Sequence, residues 1–453
     1  MGKIIEDLTL SGIHSAGKAV GQHNGKNIFV DFGIPGETVE VMLDRRKRGF
    51  YCASIDRIKV QSPQRVAPFC QHFGTCGGCN WQHMNYPKQL HLKKLILQNA
   101  LTKYQIETPE IPDVIPSPST VHFRNKVEYA FDGEYNTPDS HNYLGFHPFD
   151  RRDRVIDIEE CWLQREPSRT IYEKIKSIAI DLGLPFYNYE ERSGFLRNLI
   201  IRTSTTNETL VIIGFCYDDK ERRDVLLQRI KGSVSEINSL MFTILSSPEK
   251  GFADGEIILH SGGPGFLTEK MDGINYRISP KAFYQPNPAQ ANVIYQKIVE
   301  FGNFSGNEFV YDLYTGAGTI ACYIASKVRK ILGIEGSPDA ITDAFINAQI
   351  NNLPNTDFIC GDVLRTFNND FVSAREKPDI IILDPPRSGT LIEIKKTIIR
   401  ASPSKIIYVS CNPVSLAFDL TMLTNGYRVT KIQPIDMFPH THHVETVVLL
   451  EKQ

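Results

Sequence analysis

The sequence lacks any apolar run that approaches the ~18 residues needed to cross a membrane. Its first ten residues, MGKIIEDLTL, lack the apolar stretch of a secretory signal peptide. It also lacks a strong net charge, because 50 basic residues stand against 52 acidic ones. This balance argues against a protein that binds nucleic acid over its whole surface, but leaves room for a local basic face. We expect a cytoplasmic monomer with no membrane association.

The nine cysteines are unevenly spaced along the chain. Cytoplasmic thiols stay reduced, so a cluster of them indicates metal binding or catalysis. Such a cluster is Cys70-x5-Cys76-Gly-Gly-Cys79, and Cys161 is a fourth candidate ligand. Four thiolates suit either zinc or a [4Fe–4S] cluster. The spacing favours iron–sulfur, because zinc sites usually contain two C-x2-C pairs, but it leaves zinc open.

The length of 453 residues predicts about two to four domains. Residues 1–61 contain five short strand patterns, and His23-Asn24-Gly25-Lys26 is a good hairpin turn. This pattern predicts a small barrel of the OB type. Residues 62–278 form a central region rich in strands, with one clear helix at 167–184. The helical part near 83–115 is a candidate to pack on the C-terminal domain.

Residues 279–453 alternate between buried strands and helices, which predicts a parallel, doubly wound α/β sheet. The last two strand patterns are joined by a short turn and must therefore be antiparallel. A parallel sheet that closes with an antiparallel hairpin resembles the Rossmann-like methyltransferase fold more than a nicotinamide dehydrogenase.

A ligand site is predicted where these strands end. Asp312-Leu-Tyr-Thr-Gly-Ala-Gly-Thr319 is a glycine loop after a strand, and Glu335, Asp362 and Asp384 each follow another strand. Ligands of open α/β sheets bind at this edge, where Glu335 can accept bonds from ribose hydroxyls and Asp362 can contact an adenine edge. No phosphate-binding lysine follows the glycine loop, so S-adenosylmethionine is the preferred ligand. The alternative is that these acids only cap helices.

Cys411 follows a buried strand and is predicted to lie at the same edge. A thiolate there could add to C6 of a uracil, which makes C5 nucleophilic enough to accept a methyl group. A base must then remove the C5 proton, and Glu445, at the start of the last strand, is the candidate. Position alone supports a nucleophile and a structural cysteine equally.

Together these motifs resemble the RNA uracil-5-methyltransferase family, and in particular its 23S rRNA branch. The matching segments are FYQPNPAQ with Gln285, DLYTGAGT, DPPR, SCNP and FPHTHHVE. The N-terminal barrel resembles the TRAM domain of that branch, and the four cysteines resemble its [4Fe–4S] site. The resemblance implies a 23S rRNA uracil-C5 methyltransferase that acts on a single-stranded or flipped uridine.

The resemblance also implies roles for individual residues. Cys411 would be the nucleophile and Glu445 the base, and the [4Fe–4S] cluster would order the RNA-binding central domain. The expected methyl-donor contacts are Gln285, Tyr314, Thr319, Glu335, Asp362 and Asp384. Tyr314 and Thr319 depart from the commoner family residues, although Tyr314 keeps an aromatic ring.

Basic clusters are the candidates for RNA contacts, although a solvated face explains each of them separately. The barrel carries one such run next to aromatic residues, an RNA-binding composition. The candidates are Arg45, Arg46, Lys47, Arg48, Arg124 and Lys126, with Lys93-Lys94 and Arg151-Arg152-Asp153-Arg154 in addition.

Other functions fit parts of the sequence. A tRNA uracil-5-methyltransferase or a dual-site rRNA enzyme would share the same motifs. An N6-adenine methyltransferase would explain Asp384-Pro385-Pro386, but it needs an aromatic residue where Arg387 stands. An RNA-binding iron–sulfur module without activity would not need Cys411 and Glu445.

Overall fold

The structure is a computed structural model that describes residues 4–44, 51–134, 141–247 and 252–453. Five strands at the N-terminus close into a barrel in the order β1-β2-β3-β5-β4. They are β1 (Ile4–Ile13), β2 (Ala19–His23), β3 (Lys26–Val30), β4 (Thr38–Leu43) and β5 (Tyr51–Val60). Asn24 and Gly25 both have positive φ, as a two-residue hairpin turn requires. The barrel fits an OB-like domain.

A buried ion pair joins the barrel to the segment after it. The Glu37 carboxylate is fully buried and accepts hydrogen bonds from Arg65 at 2.6 and 2.8 Å. The backbone amides of Ile34 and Ser62 also donate to it, over 2.9 and 3.3 Å. A buried carboxylate needs such partners, and here they fix the end of the barrel.

The first helix, α1 (Tyr86–Lys103), connects the barrel with the C-terminal sheet. It begins at Asn85, whose side chain accepts a bond from the Lys88 amide. Leu92 and Ile96 share a small apolar cluster with Trp81. Leu97 and Leu101 pack into the C-terminal core, where α1 also contacts helix α10 described below.

The central region is a mixed seven-stranded sheet with the order β12-β11-β10-β9-β6-β7-β8. Its elements are β6 (Lys126–Glu134), β7 (His141–Phe146), β8 (Ile156–Asp157), α2 (Ser168–Asp181), β9 (Leu196–Thr203), β10 (Thr209–Phe215), α3 (Lys220–Ser233), β11 (Ser239–Ile244) and β12 (Ile257–Gly262). The sequence indicates α2 clearly but not α3. The apolar stripe of α3 is narrow, with Leu226, Leu227 and Ile230 inward between charged residues.

The C-terminal sheet has seven strands in the order β17-β16-β15-β18-β19-β21-β20. It is preceded by the hairpin β13 (Leu267–Met271) and β14 (Ile274–Ile278), which packs on α6. Its elements are α4 (Pro288–Gly302), β15 (Phe309–Leu313), α5 (Thr319–Ile324), β16 (Lys330–Glu335), α6 (Pro338–Ile350), β17 (Thr356–Cys360), α7 (Val363–Thr366), α8 (Asn369–Ser373), β18 (Ile380–Leu383), α9 (Ile392–Ala401), β19 (Lys405–Ser410), α10 (Pro413–Leu423), β20 (Tyr427–Ile435) and β21 (Glu445–Lys452).

The first five strands of this sheet are parallel, and β21 is antiparallel to both β19 and β20. The strand order reverses between β15 and β18, which is where open α/β sheets bind ligands. The predicted methyltransferase-type sheet with an antiparallel final hairpin is confirmed. Among the described residues, no helix is both long and apolar enough to cross a membrane.

Candidate active site

Cys411 and Glu445 lie at neighbouring strand ends. Cys411 directly follows β19, and Glu445 is the first residue of β21. The antiparallel register pairs Ser410 with Thr446, one residue further into the sheet from each of them. Asp384 directly follows β18, the next strand in the sheet. A thiol and two carboxyl groups are therefore brought together at one edge.

Burial makes ionisation unfavourable for all three groups, and repulsion adds to this effect for Cys411 and Glu445. Burial raises the pKa of Glu445 to about 8, and the charge of Asp384 adds to the effect. Burial also raises the pKa of Asp384 to about 7, although part of this side chain is accessible. The pKa of Cys411 rises to about 12, through burial first and then through Glu445 and Asp384. A cation bound here would favour ionisation.

Arg387 counteracts this repulsion. Its guanidinium lowers the pKa of both Cys411 and Glu445. Its Nη2 donates a hydrogen bond over 2.9 Å to Nδ1 of His443. Burial lowers the pKa of His443 to about 3, so its imidazole is neutral and can accept this bond. The side-chain amide Nδ2 of Asn412 donates a 2.9 Å hydrogen bond to the backbone carbonyl of Arg387. This bond connects the turn after β18 to the residue that follows Cys411.

Asp419 of α10 stabilises the turn that follows β18. Its carboxylate accepts bonds from the Thr390 amide at 2.7 Å, the Tyr408 hydroxyl at 2.6 Å and Lys395 at 2.5 Å. Gly389 has a φ of 80°, and a Cβ there would lie 2.5 Å from Asp419 Oδ2. Neither the contact of His443 with Arg387 nor the role of Asp419 was predicted from the sequence. The HTHH run and the glycine after DPPRS were the available signals.

The glycine loop and Glu335 meet as the sequence predicts. Glu335 accepts hydrogen bonds from the amides of Gly316 at 3.2 Å and Ser337 at 2.8 Å. Gly318 has a φ of 71°, and a Cβ there would come within 2.9 Å of Ala344. Asp312 is fully buried at the start of the loop, and its Oδ1 has no hydrogen-bond partner. The loop therefore presents backbone and acidic groups at the strand ends.

The other residues that were expected to contact the methyl donor differ in their burial and in their hydrogen bonds. The exposed Asp362 accepts a bond from the Arg365 amide and caps α7, as the capping alternative proposed. The Thr319 hydroxyl accepts a 2.8 Å bond from Tyr295. Tyr314 has a positive φ of 67°, an unusual conformation for a residue with a side chain. The carbonyl of the buried Gln285 accepts from Asn125 at 3.0 Å.

The four predicted cluster cysteines line one cleft of about 1110 Å³, which Asp384, Cys411 and Glu445 do not line. All four are free thiols. The other three lie near enough to Cys79 to raise its pKa, although burial is the main cause. Their chemistry suits a soft metal centre. Within the described ranges, however, no three His, Cys, Asp or Glu side chains stand close enough to count as a formed metal site.

Of the RNA-contact candidates, Arg124 and Lys126 are both half-buried. Arg45, Arg46, Lys47 and Arg48 lie outside the described residues. Arg124 lines the cysteine cleft, and its Nε donates to the Lys126 carbonyl at 2.8 Å. The Lys126 ammonium lies 5.5 Å from the centroid of the Phe252 ring. The suggestion that Lys93 contacts RNA is wrong, because its side chain is fully buried against Asp436.

Fold and site together define a methyltransferase of the S-adenosylmethionine-dependent type. Residues 267–453 match the family described as tRNA (Uracil-5-)-methyltransferase. A Bacteroides thetaiotaomicron protein named as an uncharacterized RNA methyltransferase is 39% identical, over 96% of this chain and 99% of its own length. A Porphyromonas gingivalis protein of the same description is 37% identical, over 98% of this chain and 99% of its own length. The chain belongs to the S-adenosylmethionine-dependent RNA uracil-5-methyltransferase family.

A solved structure is similar over the whole chain. It is the Pyrococcus abyssi tRNA (uracil-54, C5)-methyltransferase in complex with S-adenosyl-L-homocysteine. The TM-score is 0.78 with 28% identity, over 98% of this chain and 99% of that one. The predictions of the enzyme class and of S-adenosylmethionine as cofactor are confirmed. The residue roles, the rRNA substrate and the metal centre stay predictions.

Proposed function

We propose that this enzyme methylates C5 of a uridine in 23S rRNA, with Cys411 as nucleophile and Glu445 as base. The observation that carries the proposal is the position of these two residues at neighbouring ends of antiparallel strands. Asp384 and Arg387 lie at the same edge and act on both groups electrostatically. Removing the C5 proton requires a base within reach of that proton while C6 is bound to the thiol, which a carboxylate next to Cys411 can provide.

The reaction follows from these two groups. The Cys411 thiolate bonds to C6, and the electrons of the C5–C6 double bond move to C5 and the O4 carbonyl. C5 would accept the electrophilic methyl group of S-adenosylmethionine, and the sulfonium S–CH3 bond would break to leave neutral S-adenosylhomocysteine. Glu445 then removes the C5 proton, the double bond forms again, and the Cys411–C6 bond breaks to release the thiolate. Glu445 ends the cycle protonated and returns its proton to solvent.

The raised pKa values suit this sequence of steps. A carboxyl group with a pKa of about 8 is a stronger base, once ionised, than an ordinary glutamate. Cys411 needs help to ionise, because burial raises its pKa to about 12. Arg387 provides one positive charge, and the sulfonium of the methyl donor carries another. Nucleophile activation would therefore follow donor binding.

Residues of the glycine loop and the neighbouring strand ends would hold the methyl donor. Glu335 is fixed by two backbone amides and can bind ribose hydroxyls with its remaining lone pairs. Gly318 packs closely against Ala344, where a Cβ would not fit, and its positive φ closes the turn of the loop. The proposed contacts remain Gln285, Tyr314, Thr319, Glu335, Asp362 and Asp384, and Asp362 is the most exposed of them.

The four cysteines are proposed to hold a [4Fe–4S] cluster. Their shared cleft and soft sulfur ligands support this. Methyl transfer needs no redox step, so we assign the cluster a structural role, in ordering the RNA-binding region. We also propose that the closed five-stranded barrel is a TRAM-type domain that contributes RNA contacts through the arginine-rich run at 45–48.

A tRNA substrate is the second candidate, favoured by the similarity to the Pyrococcus abyssi enzyme. Quantifying 5-methyluridine in 23S rRNA and tRNA from a strain that lacks the protein distinguishes the two. Loss of a modified rRNA position, restored by the wild-type gene and not by Cys411→Ala, is the expected result. Loss confined to tRNA would establish the second candidate in place of the first.

The chemistry is tested with RNA that contains 5-fluorouridine. Fluorine cannot leave as a proton, so the covalent protein–RNA adduct should persist on a denaturing gel in the presence of methyl donor. Cys411→Ala should abolish the adduct, while the matched control Cys360→Ala, an exposed cysteine, should retain it. An adduct that survives Cys411→Ala would exclude the proposed nucleophile.

A further inference from the structure

The segment 436–444, which we call the base loop, leads from β20 to Glu445 and is held by the N-terminal half of the chain. It contains no helix or strand, so its shape depends on contacts from other elements. Many of those contacts come from α1 and from the residues just before it, and others come from Ile115, Asn287 and Gln290. This part of the chain lies outside residues 267–453, which match the family model.

Lys93 of α1 anchors the start of the base loop. Its side chain is fully buried and forms an ion pair with Asp436. The Lys93 ammonium also donates to the Phe438 carbonyl at 2.9 Å. Asp436 accepts two more bonds, from the Tyr86 hydroxyl at 2.8 Å and the Phe438 amide at 3.1 Å. One lysine therefore contacts both the first residue of the loop and its first turn.

Gln89, one helical turn earlier, holds the middle of the base loop. Its Oε1 accepts from the His440 amide at 2.9 Å, and its Nε2 lies 3.3 Å from Nδ1 of His440. The amides of Asn80 and Trp81 both donate to the His440 carbonyl at 3.0 Å. The backbone of His440, which has a positive φ of 63°, is thus fixed from both sides.

A buried ion pair is poor evidence for stability, because removing two charges from water costs about as much as their attraction returns. Lys93 also acts electrostatically on a second carboxyl group, that of Glu445. The charge of Lys93 lowers the pKa of Glu445, as does that of Arg387, whereas Asp384 raises it. Burial raises the pKa of the Cys411 thiol, and Glu445 adds to this effect. Burial lowers the pKa of His440, His442 and His443 of the base loop, and Lys93 lowers it further, so these imidazoles are neutral. Of the two cations that act on Glu445, Lys93 is fully buried, whereas Arg387 is exposed.

We propose that Lys93 and Gln89 are positioning residues for proton abstraction, because they fix the base loop from which Glu445 extends and set the charge behind it. The inference rests on the proposed role of Glu445. It assigns part of the active site to α1, which carries none of the predicted catalytic residues. Gln89 acts through geometry alone, whereas Lys93 acts through geometry and charge.

The test uses the full-length protein with uridine RNA and with 5-fluorouridine RNA. The variants are Lys93→Met with Asp436→Asn, which leaves no unpaired buried charge, and Gln89→Leu. The matched control is Lys103→Met, an exposed lysine on the same helix. Adduct formation is followed with the fluorinated RNA, and adduct breakdown is followed with natural uridine after a single turnover. Both rates are measured against pH.

We expect both variants to form the fluorinated adduct at a rate close to that of the wild type. Breakdown of the natural adduct should slow about tenfold, which is a smaller effect than the loss of the general base itself would have. In the Lys93→Met/Asp436→Asn variant the breakdown profile should also move to higher pH, because Lys93 lowers the pKa of Glu445 and Asp436 is not among the charges that shift it. Gln89→Leu should slow breakdown without moving the profile, and Lys103→Met should change neither.

Equal slowing of adduct formation and breakdown would overturn the inference, because it would indicate a general structural role. Wild-type breakdown in both variants would also overturn it, and so would loss of a cooperative melting transition in both. Failure of the proposed function is a different result: the wild-type protein would then form no adduct with the fluorinated RNA.

Discussion

The guanidinium of Arg387 donates a 2.9 Å hydrogen bond to the neutral imidazole of His443. This bond joins the turn after β18 to the segment that precedes Glu445, and it holds the positive charge near Cys411 and Glu445. The site is thus not a row of independent side chains. Two loops from distant parts of the sequence fix each other.

Replacing Arg387 with Met should slow adduct formation. Arg387 lowers the pKa of Cys411, so its removal raises that pKa and decreases the thiolate fraction at any given pH. The thiolate fraction should fall about tenfold for each pKa unit gained, and the rate of 5-fluorouridine adduct formation should fall by up to that factor, because a thiolate of higher pKa is also a better nucleophile. Its pH profile should move to higher pH. Arg400→Met, on the exposed face of α9, is the control; an unchanged profile for Arg387→Met would contradict the assigned role.

Glu445→Gln should stop the reaction after methyl transfer. The amide cannot remove the C5 proton, so the methylated covalent adduct should accumulate with natural uridine RNA. In the wild type, adduct breakdown should accelerate as the pH rises through about 8, where the buried carboxyl ionises. Mass spectrometry of the trapped peptide measures this. Rapid turnover by Glu445→Gln would assign the proton to another base.

The cysteine cluster can be tested by metal analysis of anaerobically purified protein. We expect about four iron and four sulfide per chain, with the broad visible absorption of an iron–sulfur centre. Cys79→Ser should lower both contents, whereas Cys216→Ser, outside the cysteine cleft, should not. Zinc in place of iron would refute the [4Fe–4S] assignment and leave the four-thiol site as a zinc centre.

The Glu37–Arg65 pair should make the stability of the barrel depend on pH. Burial alone raises the pKa of Glu37, but hydrogen bonds from Arg65 and from two backbone amides outweigh it and lower the pKa below its ordinary value of 4.5. Such a carboxyl stabilises the fold above that value, and the contribution is lost as the pH falls below it.

Arg65→Met should therefore destabilise the barrel at neutral pH by about 3 kcal/mol, because it leaves the buried carboxylate with fewer partners. The difference from wild type should shrink in acid. Urea unfolding at pH 7 and below pH 4 measures both effects, with Arg57→Met, on strand β5, as the control. A loss of stability that does not vary with pH would show that Arg65 acts by packing alone.

The parallel character of the C-terminal sheet and its antiparallel closing hairpin could be predicted from the sequence, but the order of its strands was not predicted. Continuous apolar strands separated by helices require a parallel sheet, and a short connection between the last two strands requires an antiparallel pair. Because strand ends in such a sheet share an edge, the positions of Asp384, Cys411 and Glu445 followed from local patterns. Helix α3 was not predicted, because its apolar stripe is too narrow to give a clear helical pattern in the sequence.

Only the tertiary structure decided what surrounds those residues. Lys93 looked like a surface charge in a basic helix, yet helix packing buries it against Asp436. Gln89 and His440 meet although 351 positions separate them. Asp362 caps a helix in addition to any role at the donor site. Sequence patterns fix where strands end and which groups lie there. Long-range packing decides which groups become buried, and therefore their charges.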